Sequence, residues 1–206
     1  MVYISYNLAN FKRVYDLAKR FPYIEIRQDL CNFNFNELSE LLQVIKYPIL
    51  TMKGDYKFAE SVFQLGIKYK AFLIDFDANF GKNKYDELIN LNLSIPLQDQ
   101  FIVSQHIDYN EFIKFSSFKL FNELLKWNSR FAKFVIENVD TEEAYSRVKS
   151  ILNLNNEKFA IFFTGKYGKD SRIEAYKNNC PLNYAAYQDI RINNSQLDID
   201  EYERIV

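Results

Sequence analysis

The sequence predicts an α/β fold, a (β/α)8 TIM barrel of minimal size, on three observations. Short β-rich runs alternate eight times with longer stretches of helical periodicity. Spread over 206 residues, that is about 26 per strand–helix unit, near the lower limit for a closed barrel. An open, doubly wound sheet is the alternative, but such sheets bind nucleotides through a glycine-rich turn, and neither G-x-G-x-x-G nor G-x-x-x-x-G-K-[ST] occurs.

Each unit has its own signal. Val2 to Tyr6 is a strand, and Asn10 to Lys19 carries Phe11, Val14, Tyr15 and Leu17 or Ala18 at helical spacing. Pro22 separates it from Tyr23 to Arg27, which alternates strictly, and Asn36 to Val44 then presents Leu38, Leu41, Leu42 and Ile45 on one face. Pro48 opens a strand from Ile49 to Lys53. A helix from Tyr56 to Lys68 leads to a strand from Ala71 to Asp75, and a polar stretch around Gly81 introduces a short helix from Tyr85 to Leu91, closed by Pro96. Phe101 to Ser104 is strand-like. The segment Asp108 to Trp127 repeats Phe112, Phe115, Phe118 or Leu120, Phe121 and Leu125 as one long helix, whose aromatic stripe is core or a dimer contact. Phe131 to Ile136 returns to strand, and Asp140 or Thr141 caps a helix through Leu152, with Glu142 and Glu143 where the dipole favours acids. Phe159 to Phe163, a helix from Ser171 to Asn178, Leu182 to Ala186 and Ile199 to Ile205 complete the series.

Composition bounds the function. With 48% hydrophobic and 17% aromatic residues against 5 Gly and 4 Pro, the chain is neither disordered nor linker-like, and residues 1–206 are expected to form one domain. Lys plus Arg number 26 and Asp plus Glu 27, so the net charge of -1 argues against an electrostatic partnership with nucleic acid or a membrane surface. Cys31 and Cys180 are too few for a disulfide framework and too far apart for a zinc knuckle, which fits a reducing compartment and ordinary buried thiols. No basic leader precedes a long apolar stretch at the N-terminus, and the densest apolar run, Phe159 to Phe163, is far below membrane-spanning length. A soluble, cytoplasmic protein is expected.

Strand parity points to chemistry. In Tyr23 to Arg27, Ile24 and Ile26 project to one side and Glu25 and Arg27 to the other. In a barrel the apolar side meets the helices, so the charged side faces the interior near the C-terminal mouth, where such enzymes keep their active sites. The same parity groups Thr51 with Lys53, Ser104 with His106, and Lys133 with Phe131 and Val135. For any one of these an exposed strand with a solvated face is an equal explanation. Lys133 resists it best: within Phe131-Ala-Lys-Phe-Val-Ile136 it either reaches water or is buried, and a buried lysine has the lowered pKa of a Schiff-base nucleophile. His106 is the chain's single imidazole, so proton transfer near pH 7 falls to it, unless it is an accident of the surface. It precedes Lys133 by one strand–helix unit, which puts base and amine on neighbouring strands with matching parity. Lys53, Arg27 and Arg172 in the same mouth disfavour protonated Lys133 and attract an anionic substrate.

These residues resemble a family, the type I 3-dehydroquinate dehydratases, Schiff-base enzymes of the shikimate pathway. Glu25-Ile-Arg-Gln-Asp29 is similar to the family's E-x-R-x-D at the second strand, Ser104-Gln-His106 to its S-x-H at the fifth, and Ala132-Lys-Phe-Val135 to its lysine strand. Gly165-Lys-Tyr-Gly168 followed by Ser171-Arg172 resembles G-x-x-G-x-x-S-R after the seventh strand, and Gln196 resembles the glutamine of the last loop. The motifs run in order over nearly the whole chain. The resemblance implies loss of water from 3-dehydroquinate to give 3-dehydroshikimate, without metal or organic cofactor. It implies that Lys133 forms the imine, that His106 is general base and later acid, and that Glu25 and Arg27 hold ring hydroxyls. Arg172 pairs with the substrate carboxylate, and Gln196 adds a hydrogen bond from a closing loop.

Three positions depart from the pattern. Lys53 stands where the family has arginine, keeping the charge and losing the bidentate fork. The acid expected soon afterwards, which supports the histidine, has no clean match: Asp55 is near, and Lys57 occupies the ungapped position. In the last loop S-A-P-G-Q is replaced by Ile192-Asn-Asn-Ser-Gln196, leaving Asn193 or Ser195 to stand in for the serine. Other features keep bland explanations. Asp75 and Asp77 are barrel-mouth hydrogen-bonding groups rather than a metal pair, and Gly165-x-x-Gly168 is a turn rather than a phosphate cradle. Two further functions stay open beside the dehydratase: a catalytically silent barrel binding a pathway metabolite or a protein partner, and an aldolase using the same lysine, which does not explain Arg172 and Gln196 together.

Overall fold

The computed structural model describes residues 1–90 and 97–205, the side chains at 117 and 118 excepted. In chain order its elements are β1 (Val2–Tyr6), α1 (Phe11–Ala18), β2 (Tyr23–Arg27), α2 (Gln28–Cys31), α3 (Phe35–Val44), β3 (Tyr47–Thr51), α4 (Tyr56–Lys68), β4 (Leu73–Asp77) and α5 (Lys82–Ile89). There follow β5 (Phe101–Asp108), α6 (Tyr109–Phe112), α7 (Ser117–Leu125), β6 (Phe131–Glu137), α8 (Glu142–Val148), β7 (Phe159–Phe163), α9 (Gly168–Lys177), β8 (Asn183–Ala185) and α10 (Ile199–Glu203). Helix starts are written locally. Asn34 and Glu37 form a reciprocal capping box at α3, Asp198 and Glu201 another at α10, and Asp55 caps α4. At α8 the cap is Thr141, whose Oγ1 accepts from the Ala144 amide (3.1 Å); Asp140 instead accepts from the Lys166 amide (2.8 Å) and ties down the loop after β7.

All eight strands are parallel, in the spatial order β7-β6-β5-β4-β3-β2-β1-β8. This is the expected (β/α)8 barrel, nearly closed. Among the described residues β7 and β8 share no ladder, and the seam between them is packed instead, with Phe162 edge-on to Tyr184 at 5.8 Å. Parity divides the apolar side chains as a barrel requires. Ile24, Ile26, Leu50, Ile74, Phe76, Val103, Phe134 and Ile136 pack outward against the helices, while Tyr3, Ile49, Leu73, Ile102, Phe131, Ala160, Phe162 and Tyr184 fill the interior. At the N-terminal end four rings, on β1, β2 and β3 and just before β4, pack into a floor: Tyr3 to Tyr23 at 5.3 Å, Tyr23 to Tyr47 at 4.9 Å, and Tyr47 to Phe72 at 5.1 Å. Both cysteines are free and buried, and burial pushes each thiol up to about 12.

The structure corrects several boundaries. The long helix expected over Asp108 to Trp127 does not form: β5 pairs with β6 as far as Asp108 opposite Glu137, Asp108 then caps the one-turn α6, and Ser116 starts α7. Of the aromatic stripe there, Phe112 and Phe121 are core and Phe115 is exposed. β4 begins two residues later than expected, because the Ala71 amide is still engaged by Gly66 of α4 (2.8 Å) after Lys70 turns the chain at φ 54°. That shift brings Asp77 into the strand. β3 starts at Tyr47, whose amide bonds Pro22 (2.9 Å), and ends at Thr51, so Lys53 lies just beyond it. α5 starts at Lys82, after Gly81 turns at φ 92°, and the expected end at Leu91 and stop at Pro96 lie outside the described residues.

Outside the barrel, Phe76 sits at the centre of an aromatic cluster, fully buried within 5.6 Å of the Phe63, Phe80 and Tyr85 rings and 6.0 Å of Trp127. Phe76→Ala is expected to lower unfolding stability by about 3–5 kcal/mol in urea titration, and Phe76→Leu by clearly less. An alanine variant with an unshifted midpoint would contradict this packing.

Candidate active site

The polar residues of the strands collect above the apolar interior, at the C-terminal mouth. Glu25, Arg27, Lys53, His106, Lys133, Arg172 and Gln196 all line one cavity of about 220 Å³, together with Ser5, Thr51, Glu137, Tyr184 and Asn193 among others. Ladder register explains the convergence. Ser104 lies opposite Lys133 and His106 opposite Val135, so the imidazole projects one pleat nearer the mouth than the ammonium on the adjoining strand.

Lys133 is 5% exposed, and its ammonium forms an ion pair with Asp75, which is 1% exposed. Its Nζ also sits 4.8 Å from the centre of the Tyr184 ring. Burial works against the charge on Asp75, but the ammonium of Lys133 outweighs it and holds the carboxyl below the usual range. Asp77 accepts from the Asn79 amide (2.9 Å), so both aspartates are hydrogen-bonding groups.

His106 Nδ1 lies 2.9 Å from Glu137 Oε1, and its Nε2 is buried with no partner among the described residues. Burial pulls the imidazole pKa down. Glu137 pushes it back up, while Lys53 and Lys133 lower it further, and the net direction is below the ordinary value. Glu137 in turn is held below the usual carboxylate range, chiefly by its bond to His106. Lys53 is lowered as well, by burial and by the charge of Lys133.

The remaining residues surround these two. Glu25 is buried and accepts from the Thr51 hydroxyl (2.8 Å). Arg27 is gripped by Asp29, Nε to Oδ1 at 2.9 Å and Nη2 to Oδ2 at 2.5 Å, which gives the last acid of E-x-R-x-D its use as a fork for the guanidinium. Arg172 is 5% exposed on α9, with Nε and Nη1 unpartnered among the described residues and its guanidinium carbon 5.1 Å from the centre of the Phe162 ring. Ser171 sets that helix: its Oγ accepts from the Phe163 amide (2.9 Å) and donates to Gly168 O (2.7 Å). Buried guanidinium donors left without partners can pair with a carboxylate.

The loop before α10 closes one side. Gln196 Oε1 accepts from the Ile192 amide (2.6 Å), which leaves its NH2 end available to a ligand. Ser195 donates to Gly165 O (3.1 Å) and packs on Gly168, where any Cβ would come within 2.3 Å of it. Ser195 thus locks the loop to the turn after β7, and Asn193 and Ile192 reach the cavity. Two close partnerships carry no signal of their own in the sequence. Nothing local links Asp75 to Lys133, and Glu137 lies one residue past the expected strand end at Ile136, although continuing the parity of Lys133 and Val135 by one step reaches it. Neither residue near Lys53 supports the histidine: Asp55 accepts from the Phe58 amide (3.2 Å) and Lys57 is exposed.

The sequence matches no family model and no curated protein at a significant level. Solved structures do resemble it. The 3-dehydroquinate dehydratase of Aquifex aeolicus VF5 superposes with a TM-score of 0.76 at 17% identity, covering 100% of this chain and 96% of that one. A type I 3-dehydroquinate dehydratase of Clostridium difficile, solved with covalently modified comenic acid, gives 0.74 at 14% identity, covering 99% and 89%. TrpF of Jonesia denitrificans gives 0.53 at 7% identity, covering 99% and 93%. These similarities establish the barrel.

Because His106 is the sole imidazole, its titration can be read without assignment. In ¹⁵N NMR of the free protein the ring is expected to titrate below about 6.5, leaving it neutral at pH 7. A midpoint above that value would mean that Glu137 outweighs burial and the two lysines.

Proposed function

We propose that this chain is a type I 3-dehydroquinate dehydratase, a lyase that converts 3-dehydroquinate to 3-dehydroshikimate through an imine on Lys133. The observation that carries this reading is the pairing of a buried lysine and a histidine with a free Nε2 on adjacent strands, facing the unpartnered guanidinium of Arg172 across one small polar cavity. The resemblance to two dehydratase structures over the whole chain supports it.

In this mechanism Arg172 takes the substrate carboxylate through Nε and Nη1, and Glu25, Arg27 and Gln196 hold the ring hydroxyls. Lys133 must shed a proton to attack the ketone. His106 accepts that proton and passes it to the carbonyl oxygen, and a second proton, shed by the nitrogen once it has attacked, follows the same route, so that the oxygen departs as water when the C=N bond forms. Nε2 then removes a proton from the carbon beside the imine carbon, and the electron pair of the broken C–H bond moves toward the imine nitrogen. As the pair returns, the C–O bond of the next carbon breaks and hydroxide leaves with the proton from His106. A water molecule hydrolyses the imine and frees Lys133, so the balance is the loss of one water. Lys53 adds positive charge without the fork of an arginine.

A catalytically silent barrel is the alternative, favoured by a histidine without its acid and by the changed last loop. The bond between His106 and Glu137 removes the first ground.

Borohydride reduction in the presence of 3-dehydroquinate is expected to add the mass of the reduced adduct at Lys133, located by peptide mass spectrometry, and Lys133→Ala to abolish both adduct and turnover. No adduct together with no rise in enone absorbance would sink the proposal. His106→Ala should slow turnover by about 10²–10⁴-fold while the adduct still forms. For Arg172→Ala, kcat/KM should fall about 10- to 100-fold, the worth of a charge-assisted hydrogen bond to a carboxylate.

A further inference from the structure

We propose that Glu137 is the positioning residue of the base, its carboxylate holding the Nδ1–H tautomer of His106 so that Nε2 is the proton acceptor, a part played here from β6. The inference rests on the dehydratase reading and deepens it.

The chemistry follows from the contact. An ionised carboxylate only accepts hydrogen bonds, so at 2.9 Å the neutral ring must present Nδ1–H to Oε1 and keep its lone pair on Nε2. Nε2 is the nitrogen that is buried without a partner among the described residues, on a ring lining the cavity. A free imidazole favours the opposite tautomer, whose Nε2 carries a hydrogen and cannot take a proton from carbon. The ring therefore needs an acceptor at Nδ1, and Glu137 supplies it.

Glu137 is itself fixed at its backbone. The next residue, Asn138, turns the chain at φ 62°, its amide bonding Thr164 Oγ1 (3.2 Å) and its side chain bonding Asp108 Oδ2 (2.7 Å). The Val139 amide bonds Thr164 O (3.0 Å), so the end of β6 is pinned to β5 on one side and to the end of β7 on the other. Glu137 and Lys133 stand on the same face of one strand, two pleats apart, which couples the base's support to the position of the amine. The other charged groups facing the pair are Lys53 beyond β3, Lys133 on β6 and Asp108 on β5. None of them accepts from Nδ1.

The test compares wild type, Glu137→Ala and Glu137→Gln by ¹⁵N NMR of the single imidazole and by the pH dependence of 3-dehydroquinate turnover. The wild-type ring is expected in the Nδ1–H form, and Glu137→Ala should populate the Nε2–H form and lower kcat about 10- to 100-fold with little change in KM. Glu137→Gln keeps an acceptor oxygen and loses the charge. It should retain the Nδ1–H form, while the histidine titration and the acid limb of kcat/KM move to lower pH, because the carboxylate that favours the imidazolium is gone. Should the alanine variant fail to fold, the glutamine variant carries the comparison through that shift. An unchanged tautomer in Glu137→Ala, or an unmoved titration and acid limb in Glu137→Gln, overturns the role of Glu137. A tautomer that responds to Glu137 in a wild-type protein without turnover overturns the dehydratase reading instead and leaves the hold on the ring standing.

Discussion

The ion pair between Lys133 and Asp75 is the constraint around which the barrel interior is arranged. Two charges removed from water inside an apolar barrel are each costly, and they are tolerable only because each neutralises the other at close range. Removing either would strand a buried charge. The pair links the two strands that flank β5, places the ammonium beneath the Tyr184 ring and separates the apolar floor from the polar mouth. Apart from Lys133 itself, the residues of the proposed mechanism lie above that level, and the side chains below it are packing.

Electrostatics at the mouth follow from the same pair. With Asp75 spent on Lys133 and Asp29 on Arg27, the guanidinium of Arg172 is left with unpartnered donors among the described residues. An overall charge of -1 conceals this local arrangement. A cavity that leaves a buried guanidinium incomplete is one that a ligand's carboxylate would complete under the proposed reading.

Much of this was legible in the residues. Strict alternation in Tyr23 to Arg27 and the single lysine of an apolar strand fixed which side chains face inward, because a period of two admits no other assignment once one face is buried. Less legible were the ends of elements. Asp108 and Glu137 extend the β5–β6 ladder past the point where hydrophobicity falls, since ladder hydrogen bonds between neighbouring strands hold them there, and no single-strand pattern reports a neighbour. Helical spacing from Phe112 to Leu125 was real but divided between two helices, with the break at Ser116 invisible to periodicity. The partners of His106 and Lys133 were hidden for a related reason: Glu137 and Asp75 are distant in sequence from the groups they hold, by 31 and 58 residues.

The aromatic floor has a consequence for traffic. Tyr3, Tyr23, Tyr47 and Phe72 crowd one arc of the barrel's far end, while the cavity opens at the other end, beside the loop of residues 192–196. If the dehydratase reading holds, a guest would come and go past that loop, and the length of its visit would be set at the rim rather than in the depth of the chamber.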